Sequence, residues 1–436
     1  MVNISIFGLG KLGASMVGAY ASKGHKVIGV DINSNYVELL KKGLAPVDET
    51  DLQKYITDSM ANIEATSDYD YAVKNSDISF IIVPTPSDQT GGFSVAYVKS
   101  VVEGIGKVLK GKSSYHLVVL TSTVLPGDSD EFVIPVLERY SEKKCGVDFG
   151  FSYNPEFIAI GSVVYDLLHH DFILICEKDQ KSGDILEGFY RETLGQDMPI
   201  KRMSIPSAEL SKISVNHYIT TKITFANMLA EVSEKIPGAN VTDVVGALGL
   251  DSRIGKKYLR PGLGYGGPCF PRDNRAFAAM ASKRGVDAPY ALQTDKYNNH
   301  VADRMVEFFL EHVPTSAVVG IYGLSYKPGT SFAEESQAVE IAKRLVKNNY
   351  VVRVYEPSGY AHARLLLGDE VIYSEGITDF VDNSEVLFLS NMIGEAQAFM
   401  DMVHGQNKTI IDPWRQISAA DIEKCTSYLP MGICLL

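Results

Sequence analysis

Only five of the 436 residues are cysteine, Cys145, Cys176, Cys269, Cys425 and Cys434. The set is odd in number and scattered, with no CxxC or CxxxH spacing, so neither a disulfide framework nor a structural zinc site is indicated. Basic residues are scarce too: 41 Lys and Arg stand against 53 Asp and Glu, a formal net charge of -12. That balance argues against general affinity for nucleic acid or an anionic membrane, both of which need a basic surface. An anionic small molecule stays open, because a few well-placed Arg and Lys suffice to bind one. Apolar runs of membrane-spanning length are missing, and the opening MVNISIFGLGKLG lacks a basic n-region or cleavage site. A soluble protein in a reducing cytoplasm is the expectation.

Glycine and proline are missing from one long stretch, SAELSKISVNHYITTKITFANMLAEVSEKI, between Pro206 and Pro237. This predicts a single helix, with Glu209 suiting its first turn and Lys235 its last. At about 1.5 Å per residue it spans roughly 45 Å, long enough to join domains and offer a dimer surface. Around it the chain alternates strand and helix. ISIFGLG, a helix over KLGASMVGAYASKG and HKVIGVDIN make one βαβ unit, and ISFIIVPTP (78–86), HLVVLTST (116–123) and DFILIC (171–176) add strands. From about residue 316 the rhythm returns in SAVVGIYGL, AVEIAKRLVKNN and YVVRVYEP, with EVLFLSN and TIIDP later. The expected architecture is α/β, two Rossmann-like doubly wound parallel-sheet domains at 1–203 and 311–436 joined by a central helical domain at 204–310.

Gly8-Leu9-Gly10-Lys11-Leu12-Gly13 fits GxGxxG between a strand and a helix. Gly8 permits the tight turn, Gly10 lets a pyrophosphate approach the backbone, and Gly13 lets helix pack close to strand. The helix N-terminus adds N–H groups and positive potential for the phosphates. Asp31, ending the second strand, is placed to accept both adenosine ribose hydroxyls and would repel a 2′-phosphate. NAD is therefore favoured over NADP, with FAD the main competitor.

GLGYGGPCFPRDN, residues 262–274, holds one thiol among four glycines and two prolines. Glycines 262, 264, 266 and 267 let the backbone close around a ligand, and Pro268 and Pro271 stiffen it. Asp273, four positions after Cys269, is placed to orient a water or a base. A nucleophilic thiol needs a cation or a base beside it; Lys212 is a candidate, with Asn216 one turn on along the same helical face. Buried hydrophobe is the reading for the other four cysteines, and a solvated surface residue is the bland alternative for Lys212.

In order along the chain, GLGKLG, VPTP (83–86), TSTVLPG (121–127), NPEF (154–157), AELSKISVN (208–216), GYGGPCFPRD (264–273) and GLSYKPGT (323–330) resemble the UDP-glucose/GDP-mannose dehydrogenase family. The resemblance implies a four-electron oxidation, in which two NAD take the C6 alcohol of a nucleotide-linked hexose to a carboxylate through a thiohemiacetal and a thioester on Cys269. UDP-glucose is the default substrate. By matching position, Lys212 and Asn216 stabilise oxyanions, Asp273 and Thr123 hold the water or base network, and Glu156 is general base for thioester hydrolysis. Thr85 joins the NAD site, and Phe157 and Gly266 the substrate site. Arg253 resembles an arginine that reaches a neighbouring subunit's sugar site, which implies a homodimer on the long helix. Tyr258, Leu259 and Arg260 match a loop over the nucleotide, and Lys327 and Arg415 match basic residues near the diphosphate, with surface charge as the alternative for both.

Two positions depart from the pattern. Ile160 stands where the family's second glutamate follows NPEF, and Glu334 stands where an arginine usually precedes Glu-Ser. Ile160 keeps other sugar nucleotides in view: a UDP-N-acetylhexosamine, GDP-mannose or a dTDP-sugar. A two-electron hydroxyacid dehydrogenase, which would not need Cys269, and a catalytically silent nucleotide-binding scaffold are the remaining alternatives.

Overall fold

The computed structural model describes every residue except 159, 160, 392, 395, 424, 435 and 436. Ile160 thus lies outside the described residues. Two compact units make up the chain, Met1–Ser214 and Val215–Leu436.

The first unit carries eight strands: β1 (Asn3–Phe7), β2 (Lys26–Val30), β3 (Ile63–Thr66), β4 (Ile78–Ile81), β5 (Leu117–Leu120), β6 (Gly150–Tyr153), β7 (Ile173–Glu177) and β8 (Ile200–Met203). They lie in the order β3-β2-β1-β4-β5-β6-β7-β8, parallel throughout except for the antiparallel β6–β7 pair. The central strands are near-continuous apolar runs because helices cover both faces; every residue of β4 and β5 is buried. One face packs Ile4, Ile6, Val17, Tyr20, Phe80 and Phe189, and the other Phe7, Ile81, Val98, Val102, Leu120 and Phe151. β4 stops at Ile81, short of the expected 86, because Pro84 and Pro86 have no N–H to give a ladder. Strand order reverses between the parallel β1 and β4, so the loops after β1, β4 and β5 gather at one carboxyl-end crevice, where open α/β sheets bind their ligands.

The second unit has six strands: β9 (Val318–Tyr322), β10 (Val351–Tyr355), β11 (Ile372–Tyr373), β12 (Val386–Leu389), β13 (Thr409–Asp412) and β14 (Ser427–Pro430). All are parallel, in the order β11-β10-β9-β12-β13-β14, which repeats the order of the first six strands of the other sheet. The helix Pro289–His312 lays Ala302, Met305, Val306 and Phe309 against the core formed with Val319, Ile321 and Phe388.

The stretch without glycine or proline lies almost wholly in one helix of 30 residues, Ile205–Glu234. This helix takes in Pro206 at its start, ends before the expected Lys235, and begins in the first unit and ends in the second. Glu209 lies beyond the first turn, which holds no acidic residue. The side chain is fully buried, Oε2 accepts the Gly127 N–H at 2.7 Å and Oε1 the Ser129 N–H at 3.0 Å. Burial pushes its pKa up to about 7, while those hydrogen bonds pull the other way. The loop after β5 is thereby held to the start of the long helix. Glu209→Gln puts an amide NH2 opposite one of two N–H donors and should cost about 1–3 kcal/mol. A carboxyl raised in the folded state adds stability below its unfolded pKa that is lost as pH rises through about 7. Paired denaturation curves from pH 5 to 8 should therefore show the gap between wild type and variant narrowing as pH rises.

Candidate active site

At the crevice of the first sheet, two backbone approaches fix the glycine turn. Gly8 sits at φ +106°, and a Cβ there would lie 2.2 Å from the Ile82 carbonyl oxygen; at Gly13 it would lie 1.8 Å from the Gly8 carbonyl oxygen. Gly10 differs. It is the N-cap of the helix Lys11–Ser22, and the space its Cβ would take is open. Backbone donors at that helix start are therefore reachable by a pyrophosphate. Asp31 accepts the Leu9 N–H at 2.6 Å and the Asn33 N–H at 2.7 Å. Two N–H bonds hold the carboxylate in place and leave lone pairs for ribose hydroxyls. Thr85 is buried and donates to the Thr123 carbonyl at 2.7 Å, which ties the loop after β4 to the loop after β5. Lys11 lies 4.0 Å from the buried Glu49 carboxylate, and Leu12 packs on the core. Gly10, the helix start and Asp31 together fit a dinucleotide.

The loop after β6 carries Glu156, a buried carboxyl whose pKa burial raises against the opposing pull of His170, Lys212 and Tyr190. Lys212 Nζ donates to the Glu156 backbone carbonyl at 2.6 Å and stands 4.9 Å from the centre of the Phe157 ring. Lys212, Phe157 and Glu156 are thus brought together.

In the second unit Cys269 is exposed and caps the N-terminus of the helix Phe270–Lys283, at the positive end of that helix's dipole. One turn on, Asp273 is almost wholly buried; Oδ2 accepts the Asn216 Nδ2–H at 2.6 Å, and Oδ1 pairs with Arg272 at 2.9 Å. Beside it the buried Asn274 bonds to His217, Thr220 and the Tyr265 hydroxyl, a set the sequence did not single out. The glycines of this loop have a reason other than the expected closure around a ligand. A Cβ at Gly266 would meet the Glu335 carbonyl oxygen at 2.4 Å, and one at Gly267, φ +84°, the Tyr326 ring at 2.6 Å. Protein packing already demands both.

The proposed nucleotide residues are differently disposed. Tyr258 is half-exposed at φ +63°, whereas Leu259 is buried with Ala226, Ala230, Val241 and Val245. Arg260 donates to the Trp414 carbonyl at 3.2 Å, and Arg415 is held by Asn240 Oδ1 at 2.8 Å. Arg253 is largely exposed and forked onto Asp251, and Lys327 lies 5.9 Å from the centre of the Tyr326 ring. The Glu334 side chain is exposed, and its backbone carbonyl accepts the Gly267 N–H at 2.9 Å. A cavity of about 450 Å³ opens at the carboxyl ends of β9, β10 and β12, lined by Tyr322, Ser325, Glu356 and Asn391. Glu356 Oε2 takes the N–H groups of Leu324 and Ser325 at 2.7 and 2.8 Å, so two amides just after β9 already hold a carboxylate.

A dinucleotide crevice on a doubly wound sheet, together with a thiol at a helix start, defines an NAD-dependent dehydrogenase. The chain belongs to the UDP-glucose/GDP-mannose dehydrogenase family: its NAD binding domain matches residues 2–194, its central domain 206–300 and its UDP binding domain 320–419. It is an NAD-dependent nucleotide-sugar 6-dehydrogenase. GDP-mannose 6-dehydrogenase of Pseudomonas aeruginosa is 34% identical over 94% of this chain and 94% of that protein. UDP-glucose 6-dehydrogenase of Haloferax volcanii is 29% identical over 95% of this chain and 97% of that one. The solved structure of a UDP-glucose dehydrogenase from Pyrobaculum islandicum superposes with a TM-score of 0.89 at 29% identity, covering 98% of this chain and 97% of that one. Among the described residues, no helix is long and apolar enough to cross a membrane.

Asp31→Ala should raise the NAD dissociation constant about 10- to 100-fold, the worth of hydrogen bonds to a charged group. Calorimetric titration with NAD measures it, and unchanged affinity contradicts the ribose assignment.

Proposed function

We propose that this chain oxidises the C6 alcohol of its nucleotide sugar fully to a carboxylate, through a thioester on Cys269, with UDP-glucose going to UDP-glucuronate. One observation carries the reading: an exposed thiol at a helix start, one turn from a buried carboxyl that already engages the Asn216 amide. NAD, when bound, accepts the hydride in each two-electron step. The Cys269 thiol adds to the C6 aldehyde, forming the S–C bond of a thiohemiacetal that retains the carbon for the second oxidation. Water then attacks the thioester carbonyl and the C–S bond breaks. The thiolate leaves, and Glu156 takes the proton of the water. Lys212 by charge and Asn216 by its N–H stabilise the oxyanions, while Asp273 and Thr123 hold the water and proton network.

UDP-glucose is favoured by the likeness to the Pyrobaculum islandicum enzyme. GDP-mannose is the second reading, favoured by the 34% identity to the Pseudomonas aeruginosa enzyme. Tyr258, Leu259, Arg260, Lys327 and Arg415 are proposed to serve the nucleotide, with Leu259 acting by packing. A homodimer on the long helix is proposed from Tyr218, Phe225 and Val232, exposed side chains one heptad apart on one helical face. Arg253, 86% exposed, would then serve the partner's sugar site.

The test is to count NADH formed per sugar with limiting UDP-glucose and, separately, limiting GDP-mannose. Two NADH per sugar and a uronate product are expected from the true substrate. One per sugar overturns the thioester path, and none from either sugar moves the substrate to another sugar nucleotide. Cys269→Ser should abolish uronate formation, and full four-electron turnover by that variant overturns the thioester path.

A further inference from the structure

Glu156 faces a second buried group that the scheme above does not use. His170, between the helix Val163–Leu168 and β7, points Nδ1 at Glu156 Oε2 across 3.6 Å, just beyond hydrogen-bond length. Their side chains are 5% and 4% exposed. Glu156 Oε1 and His170 Nε2 are both buried and have no hydrogen-bond partner among the described residues. Buried polar atoms are nearly always satisfied, and an exception calls for an explanation, often a catalytic one. At that distance the ring faces Oε2 as an electrostatic neighbour, and Oε1 has no partner among the described residues.

The surroundings narrow the role. The other titratable groups facing Glu156 are Lys212 on the long helix, Tyr190 on the helix Gln180–Leu194 and Tyr20 on the helix Lys11–Ser22. Lys212 gives a hydrogen bond to the Glu156 backbone carbonyl. The Tyr190 hydroxyl donates to Asn154 Oδ1 and lies 3.5 Å from the Tyr20 hydroxyl, and both tyrosines are held neutral by burial. The His170 ring stands edge-on to Tyr190, centroids 6.5 Å apart, which fixes its plane. His170 thus faces the carboxylate itself, beside the Tyr190 hydroxyl, and both favour the ionised form of Glu156.

We propose that His170 is the positioning residue for Glu156: it holds Oε2 so that Oε1 is free to take the proton of the water that hydrolyses the Cys269 thioester. This rests on the reading of Glu156 as the hydrolytic base. The proton passes from water to Oε1, the C–S bond breaks, and the thiolate departs; His170 neither gains nor loses atoms.

The experiment compares wild type, Glu156→Gln, His170→Phe and His170→Asn, using UDP-glucose or GDP-mannose as the NADH count selects. His170→Phe keeps a buried ring and removes the donor, while His170→Asn returns an N–H at the place of Nδ1. Three quantities are read: NADH released in the first turnover, steady-state turnover, and the added mass on Cys269 after quenching. His170→Phe should form its first-turnover NADH at the wild-type rate but lose about 10- to 100-fold in steady-state turnover and accumulate the Cys269 adduct. With the partner that favours the ionised carboxyl gone, the acid limb of its pH profile should move up by about one unit. His170→Asn should recover most of the turnover. If His170→Phe does not fold, His170→Gln, which withdraws the donor from the Nδ1 position, takes its place. Wild-type turnover and pH profile in the donor-less variant, or equal losses in the Phe and Asn variants, overturn the proposal while the adduct in Glu156→Gln still upholds the base. Wild-type turnover in Glu156→Gln, with no adduct, overturns both.

Discussion

Carboxylates bonded to backbone N–H groups organise turns at the carboxyl ends of both sheets. Asp31 takes the amides of Leu9 and Asn33, Glu209 those of Gly127 and Ser129, and Glu356 those of Leu324, Ser325 and Ser358. Asp412 does the same for Trp414, Gln416 and Ile417. Turns at the carboxyl end of a sheet leave several N–H groups pointing one way, and burying them unpaired is costly. A carboxylate satisfies two or three at once with charge-assisted bonds. Four of this chain's 53 acidic residues thus shape the turns around its crevices.

The two sheets share a strand order but differ at the first turn. In the first unit, Gly8 and Gly13 press backbone against backbone while Gly10 stays open, so the helix start can receive a pyrophosphate. In the second, Glu356 occupies the amides just after β9. The same topology thus offers an anion cradle in one unit and a filled one in the other, which is why the glycine fingerprint has no counterpart after β9. Glu156 stands apart from all these acids, because one of its oxygens meets no donor among the described residues.

Much of this was legible in the chain. Strand–helix alternation, the missing glycines and prolines after Pro206, GLGKLG with Asp31, and the family motifs point to the architecture, the cofactor and the enzyme class, all of which the fold and the relatives bear out. Less legible were side chains whose meaning depends on distant partners. Leu259 reads as a ligand-loop residue but packs in a core, and Glu209 reads as a dipole acid but caps a loop some eighty positions upstream. His170 is one of two adjacent histidines in LLHHDF, and nothing local tells which one turns inward.

What the sequence determined by itself are the properties that follow from neighbours along the chain: helix and strand periodicity, turns that require glycine, and the order of motifs that places this protein in its family. What only the tertiary structure decided is which polar atoms are satisfied. The Asn216–Asp273 bond and the Lys212 contact with the Glu156 carbonyl join residues 57 and 56 positions apart, and the turn of His170 toward Glu156 Oε2 is likewise set by the fold. A hydrogen bond is a matter of tenths of an ångström and of direction, and only folding sets those distances.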